Sequence, residues 1–247
     1  MINRDSPVPL YVQLEEIIEK AIKNGEYKDG DRLPSENKLC SKYGVSRITV
    51  RQALNMLEQK GLVYTVQGKG TFVKEIVIDQ YLYNVINFGK ILLDKGLVGH
   101  TRISSYYPDS SNKNAEMMFG ANLSGHIANL NLIGYIIKTP AVYYQSFVNT
   151  ETGQKLYNCA RKLEMEGAAF STYDLYSHIG ISIENIDQKI TAVKAGKILG
   201  KILEIPAGSP LLVLESKLYT SGGTPLEYKL GYYRSDKFAF YLNRKLA

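Results

Sequence analysis

Apolar positions in the first seventy residues fall at helical spacing. Leu10, Leu14, Ile17, Ile18, Ala21 and Ile22 recur at i, i+4, i+7 and i+8, which predicts an amphipathic helix with Pro9 near its first turn and Gly25 just past its end. The stretch from Gly30 to Glu36 then reads as a turn into a second helix running to about Tyr43: Ser35 is a good N-cap, and Glu36 suits the positive helix end. Gly44 breaks the chain, Val45 is apolar and Ser46 caps a third helix, so two helices are joined by a very short glycine-containing turn. On the third helix Val50, Ala53, Leu54 and Leu57 share one face and are expected to pack inward, while Ile48, Thr49, Arg51, Gln52 and Asn55 look outward. After Gly61, residues 62–73 form two β-rich runs around Gly68-Lys69-Gly70, a hairpin with a basic tip.

From Gly99 onward the period changes from helical to alternating. Strands are predicted over 101–107, 127–137, 142–148, 181–191, 211–219 and 226–233, and helices near 154–163 and 193–203. Short turns such as Ile137-Lys138-Thr139-Pro140 and 220–224 favour an antiparallel sheet with helices over one face. The fold class is therefore α+β: a three-helix winged helix-turn-helix over residues 1–73, a linker over 74–87, and a sheet domain over 88–247. Ile76, Val77, Ile78, Tyr81, Tyr83 and Val85 make that linker an ordered connection rather than a loose tether.

A length of 247 residues accommodates two such domains, and 45% apolar with 22% charged residues is ordinary for chains that fold. The N-terminus lacks a signal-type apolar run and no stretch approaches the ~20 residues of a membrane span, so a cytoplasmic protein with no membrane partner is expected. Cys40 and Cys159 are expected as buried apolar fillers, and His100, His126 and His178 lack metal-ligand spacing, so neither metal nor cofactor is implied. The net charge of +6 is modest, but between Arg32 and Lys74 eight basic residues face only Glu36 and Glu58. That clustering suits a face meeting phosphate, although a solvated helix face explains the charge equally well.

The third helix adds chemistry to the charge. Arginine can pair with guanine edges or phosphate, Gln52 can read adenine, and Ile48 or the Thr49 methyl can meet thymine. Glycines at the hairpin tip allow close backbone approach to the duplex, with Lys69 supplying a cation. Alone, Arg47 and Arg51 would read as surface arginines.

Residues 9–73, above all PLYVQLEEII, GDRLPSENKLCSKYGVSRITVRQALNMLEQKGLV and GKGTFV, resemble the winged-helix domain of the GntR superfamily of bacterial transcription regulators. Residues 88–246 resemble the effector-sensing UTRA domain of its HutC subgroup, which has a chorismate-lyase-like fold; the clearest stretch runs from Pro210 to Phe238. The resemblance implies a homodimer on a near-palindromic operator, repression as the commoner outcome, and DNA contacts from Arg32, Pro34, Ser35, Glu36, Arg47, Thr49, Arg51 and Gly70. With the residues read from the sequence itself, the expected DNA-facing set is Arg32, Pro34, Ser35, Glu36, Ser46, Arg47, Ile48, Thr49, Arg51, Gln52, Lys69 and Gly70.

In many members of that family the sensing pocket uses an Arg-x-Arg strand, a Glu, a Ser-x-Tyr and a late Glu. Here Ser171 and Tyr173 match the Ser-x-Tyr and Glu227 the late Glu, whereas Gly134, Tyr135 and Ile136 stand at the arginine stretch and Tyr144 at the intermediate Glu. The expected effector-binding set is Tyr144, Ser171, Tyr173, Glu227 and Tyr228, for a sugar, sugar derivative or other small metabolite. Loss of two cations disfavours a phosphorylated sugar and favours an uncharged or aromatic-stacking ligand. Most of the 19 tyrosines, by contrast, are expected to pack their rings within the sheet. Two other functions stay open: a second domain that only dimerises, and, with no assembled nucleophile and base to support it, a lyase-like enzyme.

Overall fold

The computed structural model describes residues 2–75, 77–81, 88–120 and 127–242, and the chain divides into two units, Met1–Val77 and Ile78–Ala247. In the first unit, α1 (Leu10–Lys23), α2 (Glu36–Tyr43) and α3 (Arg47–Gln59) precede a hairpin of β1 (Val63–Val66) and β2 (Gly70–Val73). Local rules set the boundaries. The Ser35 hydroxyl accepts from the Lys38 amide at 3.4 Å and opens α2, which stops at Gly44, whose φ of 66° is the left-handed cap that glycine adopts without strain. The Ser46 hydroxyl accepts from the Thr49 amide at 3.2 Å and opens α3.

The apolar stripes meet as their spacing predicts. Leu14, Ile18 and Ile22 of α1, Leu39 of α2, Val50, Ala53, Leu54 and Leu57 of α3, and Val63 and Val73 of the hairpin form one core. Burying each Leu or Ile contributes roughly 1.5–3 kcal/mol, so this face holds the three helices together. One charged side chain enters that packing: Glu15 is buried and pairs with Lys60 at 2.8 Å, while Lys60 also reaches Glu19 at 2.7 Å. The segment before α2 joins the hairpin as well. The Leu33 amide donates to the Thr71 carbonyl, the Val73 amide donates to the Asp31 carbonyl, and Arg32 bridges to Phe72.

The second unit runs β3 (Ile78–Tyr81), α4 (Phe88–Asp94), β4 (Gly99–Ser110), α5 (Lys113–Phe119), β5 (Ile127–Ile136), β6 (Thr139–Asn149), α6 (Thr150–Met165), α7 (Thr172–His178), β7 (Asn185–Lys194), α8 (Lys197–Leu203), β8 (Pro210–Tyr219), β9 (Pro225–Arg234) and β10 (Phe238–Tyr241). Six strands form one antiparallel sheet in the order β4-β5-β6-β9-β8-β7, while β3 and β10 pair in parallel beside it. The β6–β9 register places Tyr144 opposite Gly231, Ser146 opposite Lys229 and Val148 opposite Glu227, so these side chains share one face. α7 sits on that face. Its approach is fixed at Thr101 of β4, whose hydroxyl donates to the Phe170 carbonyl at 2.7 Å and accepts from the Phe170 amide at 2.9 Å.

Several expectations shift. The strand expected over 181–191 occupies Asn185–Lys194, and the helix expected from Val193 begins at Lys197. β7 is the sheet's edge and is exposed along nearly its whole length, so it carries no alternation to read. α4 and α5 are seven-residue helices, too short for a helical period to stand out. Cys40 and Cys159 are half-buried rather than buried fillers. Ile76, Tyr83 and Val85 of the expected linker, and His126, lie outside the described residues; Ile78–Tyr81 of that linker is strand β3. No helix among the described residues is long and apolar enough to cross a membrane.

Candidate DNA-facing surface and effector site

The outward face of α3 is open. Ile48 is 71% exposed, and Ser46, Arg47, Arg51 and Gln52 are exposed around it. The arginines are held rather than loose: Arg51 Nε donates to Glu36 Oε1 at 2.9 Å, Arg47 Nε lies 3.2 Å from Glu36 Oε2, and Arg47 Nη2 donates to Asn37 Oδ1 at 2.9 Å. Glu36 does not only favour the start of α2; it orients two cations from α3. The Ser46 and Thr49 hydroxyls lie 2.8 Å apart, tying Thr49 to its own cap. Beside the helix an open concavity of about 460 Å³ is bordered by Arg32, Pro34, Ser35, Arg47 and the wing residues Thr65, Gln67, Gly70 and Thr71. A Cβ on Gly70, whose φ is 119°, would fall 2.7 Å from Arg32 Nε, so glycine lets that guanidinium lie across the wing. Lys69 is exposed at the tip. No local pattern marks Asn37, Thr65, Gln67 and Thr71: Asn37 is brought in by its bond to Arg47, and the wing residues by the pairing of residues 31–33 with the wing.

In the second unit Tyr144, Ser171, Tyr173 and Glu227 meet on one face of the sheet. The Ser171 amide donates to Asp174 Oδ2 at 2.7 Å and its hydroxyl to the same oxygen at 3.1 Å, which fixes the first turn of α7. The Thr172 hydroxyl donates to Glu227 Oε1 at 2.8 Å and accepts from Lys229 Nζ at 2.8 Å. Lys229 is 2% exposed, with its ammonium 4.1 Å from the Tyr173 ring centre and 4.5 Å from that of Tyr144. Such cation–π placement stabilises a charge removed from water. Burial nonetheless pushes the Lys229 ammonium down from its ordinary range, against the opposing pull of Glu227 and Asp174. Burial raises Asp174 despite its Ser171 hydrogen bonds, and pushes Tyr233 up to about 12.

A small cavity of about 10 Å³ is lined by Gln80, Phe88, Ile91, Tyr144, Ser171, Tyr173 and Tyr233. That is room for about one water molecule. Gly134 has no space for a side chain: an added Cβ would lie 2.8 Å from a Phe88 ring carbon. Phe88 fills that place instead.

Tyr228 must be corrected. Neighbouring strand residues point to opposite faces, so Glu227 and Tyr228 cannot share the site. Tyr228 packs with Ala115, Phe119, Ile127 and Phe147 on the other face, its hydroxyl accepting from Asn114 at 3.0 Å and donating to Glu215 at 3.1 Å. The same alternation points to Lys229, two residues beyond Glu227, which sequence reasoning missed.

A helix-turn-helix with a hairpin wing, followed by an antiparallel sheet enclosing a polar and aromatic site, defines a class: transcription regulators that bind DNA with one part and a small molecule with another. The chain belongs to the GntR family of bacterial regulatory proteins, whose model matches residues 10–73, with a UTRA domain over residues 94–239. It is similar to the HTH-type transcriptional repressor NagR of Bacillus subtilis, 29% identical across 98% of each chain. It is also similar to the mannosyl-D-glycerate transport/metabolism system repressor MngR of Escherichia coli, 24% identical across 95% of each. Among solved structures PhnF of Mycobacterium smegmatis shares the fold, with a TM-score of 0.64 at 19% identity over 95% of this chain and all of that one.

Proposed function

We propose that the chain is an operator-binding repressor, acting as a homodimer, whose affinity for DNA is set by a small hydroxylated effector held in the second unit. Arg32, Arg47, Arg51, Gln52 and Lys69 form the DNA-contacting set, with Glu36 orienting the two α3 arginines. Tyr144, Ser171, Tyr173 and Glu227 form the effector set. The reading assigns no catalytic step and needs no cofactor.

The observation that carries it is the make-up of the cavity wall. Gln80, Phe88 and Ile91 come from β3 and α4, the first elements after the DNA-binding unit in the chain, and the cavity they close has room for about one water. An effector larger than that must move this wall, so occupancy is coupled to the elements that follow the DNA-binding unit in the chain. Effector binding thereby alters the spacing of two winged helices and lowers operator affinity.

Selection of operators from random duplex DNA, at one stated salt concentration, tests the first half. A two-fold symmetric site with half-sites about one helical turn apart is expected, and absence of enrichment would overturn sequence-specific binding. Titration of a saturating ligand against the selected operator tests the second half; unchanged affinity would sink it.

A further inference from the structure

Three of the groups around the effector site are buried with hydrogen-bonding capacity left open. Glu227 is fully buried, and its Oε2 accepts from no described residue; the nearby Tyr176 hydroxyl donates to the Leu226 carbonyl instead. Lys229 carries three N–H donors and, among the described residues, uses one, on Thr172. The buried Tyr173 hydroxyl lies near Ser216 and Gln188 without a directed hydrogen bond. Leaving such groups unmet in a protein interior is costly, most of all for charges. Open donors and an open carboxylate acceptor stand within two hydrogen bonds of each other through Thr172, beside two tyrosine rings.

Building on the sensing function above, we propose that Lys229 and Glu227 together select an effector that presents adjacent hydroxyl groups and no phosphoryl group, a neutral saccharide. A sugar hydroxyl both donates and accepts, so neighbouring hydroxyls satisfy the Glu227 carboxylate and the Lys229 ammonium at once, while a sugar's apolar face lies on Tyr144 or Tyr173. Charge separates this ligand from its phosphate ester. The charged groups here are Glu227, Asp174 and Lys229, two carboxylates against one ammonium. A phosphoryl dianion brought into that low-dielectric site meets net repulsion. A neutral polyol carries no such penalty.

The test uses the full chain. Calorimetry and thermal shift are run with glucose, mannose, galactose, N-acetylglucosamine, maltose and cellobiose, each beside its 6-phosphate. The expected result is saturable binding of at least one neutral sugar, with its 6-phosphate weaker by about tenfold or more, the effect of one adverse charge contact. Lys229→Met and Glu227→Gln, which preserve side-chain bulk, should each weaken that sugar by about tenfold or more, through loss of a charged hydrogen-bond partner. A 6-phosphate that binds more tightly than its parent sugar, or sugar affinity untouched in both variants, overturns the proposal and leaves sensing standing. Silence across the whole panel overturns the proposal as well, and sensing is then decided separately by the operator titration.

Discussion

One carboxylate, Glu36, faces two arginines, and this sets what each can do on DNA. Because the Arg51 and Arg47 side chains are already oriented, less freedom would be lost in the proposed contacts with a base edge or phosphate. Arg51→Ala should weaken specific binding by roughly 1–3 kcal/mol if it reads a base, with little change on random duplex; a phosphate role would weaken both about equally. Parallel titrations on the selected operator and a scrambled one separate these. Glu36→Gln should raise affinity for random duplex while narrowing the gap to the operator, since it removes a charge that repels phosphate and frees both guanidinium groups. At Gly70 the prediction is harsher. An alanine there meets a left-handed φ and the Arg32 guanidinium together, so Gly70→Ala should lower operator affinity and displace the Arg32 Nε signal in NMR spectra.

Between elements, the α1–α3 contact contains a pH-sensitive cluster. Burial tends to raise Glu19, but hydrogen bonds from Lys23, Lys60 and Glu15 outweigh it and hold its carboxyl at about 2. A depressed carboxylate contributes stability that is full above its unfolded value, near 4.5, and is lost as pH falls toward 2. Glu15, its buried neighbour, is raised by desolvation and works in the opposite direction over part of that range. Glu19→Gln should therefore destabilise the first unit at neutral pH, and its deficit in urea unfolding should shrink as pH falls below about 4.5 and vanish near 2. Within the same unit Leu57→Ala should cost about 2–5 kcal/mol, because Leu57 is fully enclosed where α3 meets the hairpin.

Elements also decide what was legible in the sequence. α1 and α3 could be read because each has an apolar stripe at helical period facing a core, and their ends because Ser35, Gly44 and Ser46 carry cap chemistry. β5, β6, β8 and β9 could be read because β-rich runs alternate with turns. β7 and α8 slipped by a few residues, since an exposed edge strand has neither a buried face nor a period to fix its limits. Tyr228 adjoins Glu227 in the sequence, but strand alternation excludes it from that face and admits Lys229. Gln80, Phe88 and Ile91 reach the cavity through tertiary folding alone, and no local pattern marks them.

For the whole molecule, the proposed effector must stabilise the state it binds. At 100 times its dissociation constant a ligand adds roughly 2.7 kcal/mol, which scanning calorimetry at increasing ligand would resolve as a rising midpoint. A midpoint that stays flat while the operator complex dissociates would place the ligand on DNA rather than on the protein.

The parallel pairing of β3 with β10 also bears on how the chain is made. Strand β3 directly follows the DNA-binding unit, yet its partner is about 160 residues further on, Phe238 lying beside Ile78 and Tyr241 beside Tyr81. On a ribosome the three helices and the wing need only near neighbours and can close early, whereas β3 must wait until β10 has been synthesised. A nascent chain stalled before Phe238 would carry a folded DNA-binding unit and an unfinished sensor, so the grip on DNA is built before the means of releasing it.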